Sequence, residues 1–343
     1  MKALVKVAKG AGNVELRDVP EPEPGPGEVL VEVKAAGVCG TDLHILHDEY
    51  PYRPPVTLGH EFCGVVAAVG PGVTGWRPGE RVTSESAGKV CGRCRYCMSG
   101  DYHLCADRQG LGSGRNGAFA RYVVVEAGHL FRLPDEVDFV SGALSEPIAA
   151  CVRAVNERTG VGAGDVAVVS GPGPIGLIVA QLAKAEGATV VVLGTSADEA
   201  RLALARRLGA DLVVDVEREN ALSLVREISA GYGADVAFEC AGVAPSVKQC
   251  VDLLRKGGKL CLVGLHGRPV TMDIDAVAIK ELSLFGTFSH RWIDWPKGLA
   301  LLAQGKIQAK PLVSHNLPLT EWKEAFRIAE AKTSVKVLMH PVD

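Results

Sequence analysis

The stretch from Asp165 to Leu193 constrains the fold of this chain more than any other. Asp165–Ser170 is a compact Val-rich run, as expected of a strand buried on both faces. Gly171-Pro172-Gly173-Pro174-Ile175-Gly176 follows, then a helical apolar pattern over Leu177–Glu186 and a second Val-rich run, Ala188–Leu193. Strand, G-x-G-x-x-G, helix and strand within about thirty residues is the setting that makes this fingerprint specific. Its glycines let the backbone approach a pyrophosphate, and the helix N-terminus offers free N–H groups and a positive dipole end. Apolar runs at Asp211–Val214, Ala234–Glu239 and Lys259–Val263, with helices between, extend the pattern to a doubly wound parallel sheet of the α/β class. Gly264 ends the last of these strands, the place such sheets bind ligands.

The end of the second strand selects between dinucleotides. An acidic side chain there would bind a ribose 2′-OH and repel a 2′-phosphate. This chain has Gly194-Thr195-Ser196, small and uncharged with two hydroxyls, and Arg201 shortly after. The expectation is NADP over NAD, with Asp198 and Glu199 as the opposing acids.

The residues before this half have a different texture. Ala3–Val7, Glu28–Ala35, Cys63–Val69, Arg81–Thr83 and Arg121–Val125 read as short strands, separated by Pro20–Gly27, Gly70–Gly72 and Pro78–Glu80. Short strands with Gly/Pro punctuation predict a small β-barrel or sandwich. Two clusters of metal-binding side chains sit on it. Cys39-Gly40-Thr41-Asp42-Leu43-His44 and Gly59-His60-Glu61 supply a thiol, imidazoles and carboxylates. Cys39, His60 and Glu61 offer one zinc ligand of each kind, and a catalytic zinc keeps a further position open. Taken alone, a buried Cys beside a surface His is the plainer reading. Cys91, Cys94, Cys97 and Cys105 form C-x2-C-x2-C-x7-C, the spacing of a closed structural zinc site. An iron–sulfur cluster is the rival, but a proline after the last Cys and a second cluster motif are both missing. Glu146, before Pro147 and the helical run Ile148–Val155, is either a further zinc ligand or an ordinary carboxylate at a helix N-terminus.

A chain of 343 residues predicts two domains of ordinary size. Its net charge of −3 argues against a general attraction to nucleic acid or anionic membrane. No apolar run approaches spanning length, and Met1–Val5 leads straight into a strand pattern, so the expected location is the cytoplasm. The ten cysteines are then expected as reduced thiols, and those that cluster as metal ligands.

Together, the Gly59-His60-Glu61 signature, the four-cysteine lobe and the fingerprint resemble, in that order, the zinc-containing medium-chain dehydrogenase/reductase family over essentially the whole chain. Within it the chain looks most like the polyol (sorbitol-like) and threonine dehydrogenase branch; Cys39–His44 matches the threonine dehydrogenase form. The resemblance implies a GroES-like β-barrel catalytic domain, residues 1–150 and 289–343, around a Rossmann dinucleotide-binding domain, residues 151–288. It implies two zinc ions per chain. Cys39, His60 and Glu61 or Glu146 would hold the catalytic zinc, and Cys91, Cys94, Cys97 and Cys105 the structural one. Thr41 and His44 would relay a proton to solvent. Gly171, Gly173, Pro174, Ile175, Gly176, Gly194, Thr195, Ser196, Arg201, Ala241, Val263, Gly264 and Leu265 would hold the cofactor. The implied activity is hydride transfer between a secondary alcohol, polyol or sugar-derived, and NAD(P), in a homotetramer or homodimer. L-Threonine 3-dehydrogenase is the alternative within the family, and a non-catalytic nucleotide-sensing protein the alternative outside it. A zinc-free quinone or enoyl reductase is disfavoured by Cys39, His60 and the four-cysteine lobe. Ser289-His290 stand where the polyol branch carries an Arg-Tyr pair, so the resemblance leaves the substrate open.

Overall fold

Strand Glu28–Gly37 is the hub of the first folded unit. Its side chains alternate between buried and half-buried along most of its length, with Val29, Val31 and Val33 inside, the period of a pleated strand with one face on a core. It pairs antiparallel with Glu61–Val69 along one edge, and with Tyr122–Glu126 and Lys336–His340 along the other. Arg81–Ser84 and Leu130–Arg132 extend this seven-stranded sheet on one side and Val313–Pro318 on the other. Val31, Phe62, Phe119, Phe326 and Met339 meet in its core. A second sheet joins Val14–Asp18, Lys2–Lys6 and Val56–Thr57.

The computed structural model describes residues 1–331 and 334–342. Lys332, Thr333 and Asp343, part of the expected catalytic segment, lie outside the described residues. The first unit comprises Met1–Ala149, His290–Gln304 and the described residues from Ala309 onward; the second comprises Ala150–Ser289 and Gly305–Gln308.

In the second unit six strands run parallel in the order Leu212–Asp215, Thr189–Gly194, Val166–Ser170, Ala234–Glu239, Leu254–Leu262 and Ser283–Gly286. Strand order reverses at Val166–Ser170, the switch point at which a doubly wound sheet opens a ligand crevice. The sequence pattern gives five of these strands but begins the fifth late and misses Ser283–Gly286. That edge strand is four residues long and mostly exposed, so it carries no buried periodicity.

Pairing register has a chemical consequence in the first unit. Gly37 lies opposite Glu61 on one side and Leu338 on the other. This brings the buried Lys336 onto the buried Glu61, where Nζ pairs with Oε2 and also donates to the Val38 carbonyl at 2.9 Å. A Cβ at Gly37 would collide with the Glu61 carboxylate and lie 2.9 Å from Lys336 Cε, so the pair fits only because that residue has no side chain. Truncating one partner of a buried ion pair leaves an uncompensated charge. Lys336→Met is therefore expected to lower the stability of this unit, which holds all four tryptophans, by about 3–5 kcal/mol in urea unfolding followed by tryptophan fluorescence, and a loss below about 1 kcal/mol would contradict the pairing.

Candidate active site

Cys39 caps the short helix Gly40–Leu46, and Glu61 opens strand Glu61–Val69. Asp42 ties the two segments together. Its buried carboxylate accepts the Cys39 N–H at 2.9 Å through Oδ2 and the Gly59 N–H at 3.3 Å through Oδ1. One ligand atom each from Cys39, His60 and Glu61 then lies within 4.8 Å of the others. Burial pushes the Asp42 carboxyl above its usual range. Burial works against a charged His60, but the Cys39 sulfur beside the ring and the carboxylates of Asp42 and Glu146 outweigh it and hold the imidazole well above its ordinary value. The pocket thus gathers a thiol, an imidazole and several carboxylates, with Lys336 as the opposing cation. Both the surplus negative charge and the mixed S/N/O donors suit zinc.

Glu146 lies in the first turn of helix Ser145–Val152. It is outside the three-residue cluster but close enough for its charge to act on His60. Burial alone would push its carboxyl up; hydrogen bonds from His290 and Ser86 and the nearby His60 outweigh that and hold it below the usual carboxylate range. Thr41 Oγ1 is 3.7 Å from Cys39 Sγ. His44, one helical turn on and half-buried, pairs through Nδ1 with Glu49 at 2.8 Å.

The sulfurs of Cys91, Cys94, Cys97 and Cys105 also converge within 4.8 Å. Cys91–Cys97 is 3.9 Å and Cys94–Cys97 is 3.5 Å between sulfurs. Four sulfurs about 2.3 Å from a tetrahedral centre lie about 3.8 Å apart, so the spacing is that of a zinc tetrahedron. Backbone N–H groups of Arg93 and Cys94 hold the Cys91 thiol down to about 6, favouring the thiolate a metal needs.

In the second unit, helix Pro174–Ala185 starts directly after Gly173 with Pro174 in its first turn. A Cβ at Gly176 would collide with the Gly171 carbonyl, whereas one at Gly173 would meet nothing within 4 Å. The third glycine therefore serves helix–strand packing, and the second leaves the backbone open to a pyrophosphate. Ala241 and Gly242 donate to Glu239 Oε1 at 3.0 and 2.9 Å, which shapes the turn beside Gly264.

The amino-terminal part matches the alcohol dehydrogenase GroES-like domain over residues 25–135, and residues 174–304 match the zinc-binding dehydrogenase domain. The chain belongs to the zinc-containing medium-chain dehydrogenase/reductase family. It is 44% identical to a sorbitol dehydrogenase of Halalkalibacterium halodurans, covering 100% of both chains. It is 39% identical to a D-arabitol-phosphate dehydrogenase of Enterococcus avium, over 99% of this chain and 97% of that one. A zinc-binding dehydrogenase of Sinorhizobium meliloti 1021, solved bound to NADP, superposes with a TM-score of 0.92 at 37% identity, over 99% of each chain.

Around the ribose-selecting strand end of this dehydrogenase, the hydroxyls that favoured a phosphate are already engaged. Ser196 Oγ donates to Asp215 Oδ2 at 2.6 Å, its N–H to Glu217 at 3.0 Å, and Thr195 Oγ1 to Asp198 at 3.0 Å. Arg201 pairs with Asp198 at 3.4 Å and is mostly buried. Asp215 belongs to the neighbouring strand, in register with Gly194, so nothing in the local sequence pointed to it.

Asp42, Glu85, Ser86, His290 and Lys336 were given no role in the sequence reading. The Cys39/Asp42 capping-box spacing was a usable local signal for Asp42; the others arrive through register and tertiary packing. Trp295 and Trp292 part company: the first is fully buried against Phe131, the second half exposed. Replacing Cys94 by Ser is expected to lower bound zinc from two ions to one per chain and to reduce the melting temperature. Unchanged zinc content by atomic absorption would remove the lobe as a metal site.

Proposed function

We propose that this chain is a zinc-dependent oxidoreductase that moves hydride between a secondary alcohol of a polyol or sugar-derived compound and NAD(P). The observation that carries the reading is the convergence of Cys39, His60 and Glu61 within 4.8 Å. Those three would hold the catalytic zinc, with Glu146 beside them, and Cys91, Cys94, Cys97 and Cys105 would hold a structural one. Zinc would supply Lewis-acid polarisation of the alcohol oxygen, and NAD(P) the hydride acceptor.

The side chains have separate tasks. Asp42 sets the distance between Cys39 and His60 by holding both backbone segments. Lys336 neutralises one oxygen of Glu61. Thr41 would take the proton an alcohol loses as it passes its own hydroxyl proton to His44, whose partly exposed ring would deliver it to water. The turn Gly171–Gly176 would receive the pyrophosphate at the N-terminus of its helix, and Ala241, Val263, Gly264 and Leu265 would help to hold the nicotinamide.

Two cofactor readings have support. NADP is favoured by the absence of an acid at Gly194-Thr195-Ser196 and by the NADP held in the S. meliloti structure. NAD is favoured by Asp215, which Ser196 holds at 2.6 Å beside the expected ribose site. The relatives' names place sorbitol and arabitol phosphate among the first substrates to try. We further propose a cytoplasmic homotetramer or homodimer. Among the described residues no strand pairs with the outer side of Ser283–Gly286, and Leu284 within it and Ile274 and Ile279 in the preceding helix are exposed, the last at 72%, features that sheet proteins ordinarily cover.

Reduced-nicotinamide absorbance, followed with a panel of sugar alcohols, their phosphates, short diols and L-threonine in NAD and in NADP, tests the reading. A rise with polyols or their phosphates is expected. A rise with threonine alone would move the substrate to the amino acid, and no rise from zinc-replete protein would contradict the enzyme reading. Cys39→Ser is expected to reduce kcat by at least about 10³-fold while the dissociation constant for the reduced cofactor changes little. Retained turnover would remove Cys39 from the site.

A further inference from the structure

We propose that His290 is a positioning residue that holds the Glu146 carboxylate in place beside the Cys39–His60–Glu61 cluster. The proposal rests on the zinc-dehydrogenase reading above. His290 is completely buried, just ahead of helix Asp294–Ala303. Trp295 Nε1–H donates to its Nδ1 at 3.0 Å. An indole nitrogen only donates, so in the neutral ring Nδ1 presents a lone pair to it and the proton sits on Nε2; against the cost of burial, the flanking Glu146 and Glu85 carboxylates favour the charged ring, in which Nε2 still carries a proton. That nitrogen faces Glu146 Oε1 at 3.2 Å and donates to it. Ser86 Oγ, 3.2 Å from the same ring nitrogen, donates to the same carboxylate oxygen at 2.9 Å. Glu146 Oε1 is thus anchored by two donors, while Oε2 makes no hydrogen bond among the described residues.

The donors are themselves fixed. Trp295 is fully buried and stacks on Phe131, with ring centroids 5.1 Å apart and planes 4° from parallel. On the other side of the imidazole, Glu85 Oε1 lies 3.7 Å from Nδ1 and accepts the Tyr102 hydroxyl at 2.5 Å. Tyr102 sits between Cys97 and Cys105, and Arg291 approaches Asp101 at 3.8 Å. The segment carrying His290 is therefore tied to the four-cysteine lobe as well as to Glu146. A histidine that merely satisfied the core would need one partner. Here the tautomer is set by one neighbour and spent on a carboxylate whose other oxygen is left available to the cluster. Groups of this kind, one bond removed from a metal site, set the orientation of what meets the metal.

The test uses metal alone. Metal-free full-length protein is titrated with Co²⁺ for its visible spectrum, and with Zn²⁺ against a chromophoric chelator. The signal present in the wild type and missing from Cys39→Ser is assigned to this site. His290→Phe is expected to weaken zinc there by about 10–100-fold and to shift the cobalt bands. His290→Gln, which keeps an N–H able to reach Glu146, is expected to restore most of the loss, with NADPH binding unchanged in both. Equal affinity and spectra in wild type and His290→Phe, or a Gln variant no better than Phe, would overturn the role. Should His290→Phe fail to fold, Trp295→Phe removes the N–H that contacts Nδ1, together with part of the ring stacked on Phe131, and is expected to shift the cobalt bands in the same direction. Wild-type bands there would overturn it. A wild type with no Cys39-dependent signal would overturn the zinc reading and this role with it.

Discussion

The antiparallel pairing of Glu28–Gly37 with Glu61–Val69 is the constraint on which the site depends. It sets Gly37 against Glu61, and the return of Lys336–His340 to the same strand brings a buried ammonium onto that carboxylate. A one-residue slip would turn every side chain of the strand to the opposite face and empty both the core and the cluster. Asp42 does by hydrogen bonds what the sheet cannot do, joining the turn before His60 to the helix cap at Cys39. The residues of the cluster are therefore held by backbone geometry first and side-chain choice second.

The same logic explains why much was legible in the sequence. Signals that depend on neighbours along the chain survive without a structure: the glycine turn with its flanking strands, the four cysteines with tetrahedral spacing, and the His-Glu pair after a glycine. Each needs only a few residues to fix its chemistry. Lys336 and His290 carry no such signal. One enters through strand register and the other through a buried contact with Glu146, so neither partner is visible in its own segment. Ser289-His290 stood out only because the expected Arg-Tyr pair was missing.

The cofactor end shows how a local reading is incomplete. Gly194-Thr195-Ser196 reads as uncharged along the chain, yet parallel register sets Asp215 beside it and Ser196 donates to that carboxylate. Charge at a strand end belongs to the sheet and not to one strand. We propose that selectivity there follows from the balance of Asp215, Asp198 and Glu217 against Arg201 and Arg218, the last 3.4 Å from Asp215.

The most direct measurement is the zinc K-edge X-ray absorption of the protein loaded with two zinc ions. One site with Cys39 as its sole sulfur ligand beside one with four thiolates gives an average of about 2.5 sulfurs per zinc near 2.3 Å, the remainder being N/O scatterers near 2.0–2.1 Å. That average supports the division into an open mixed-donor site and a closed thiolate site. Four sulfurs per zinc, or none, would contradict it.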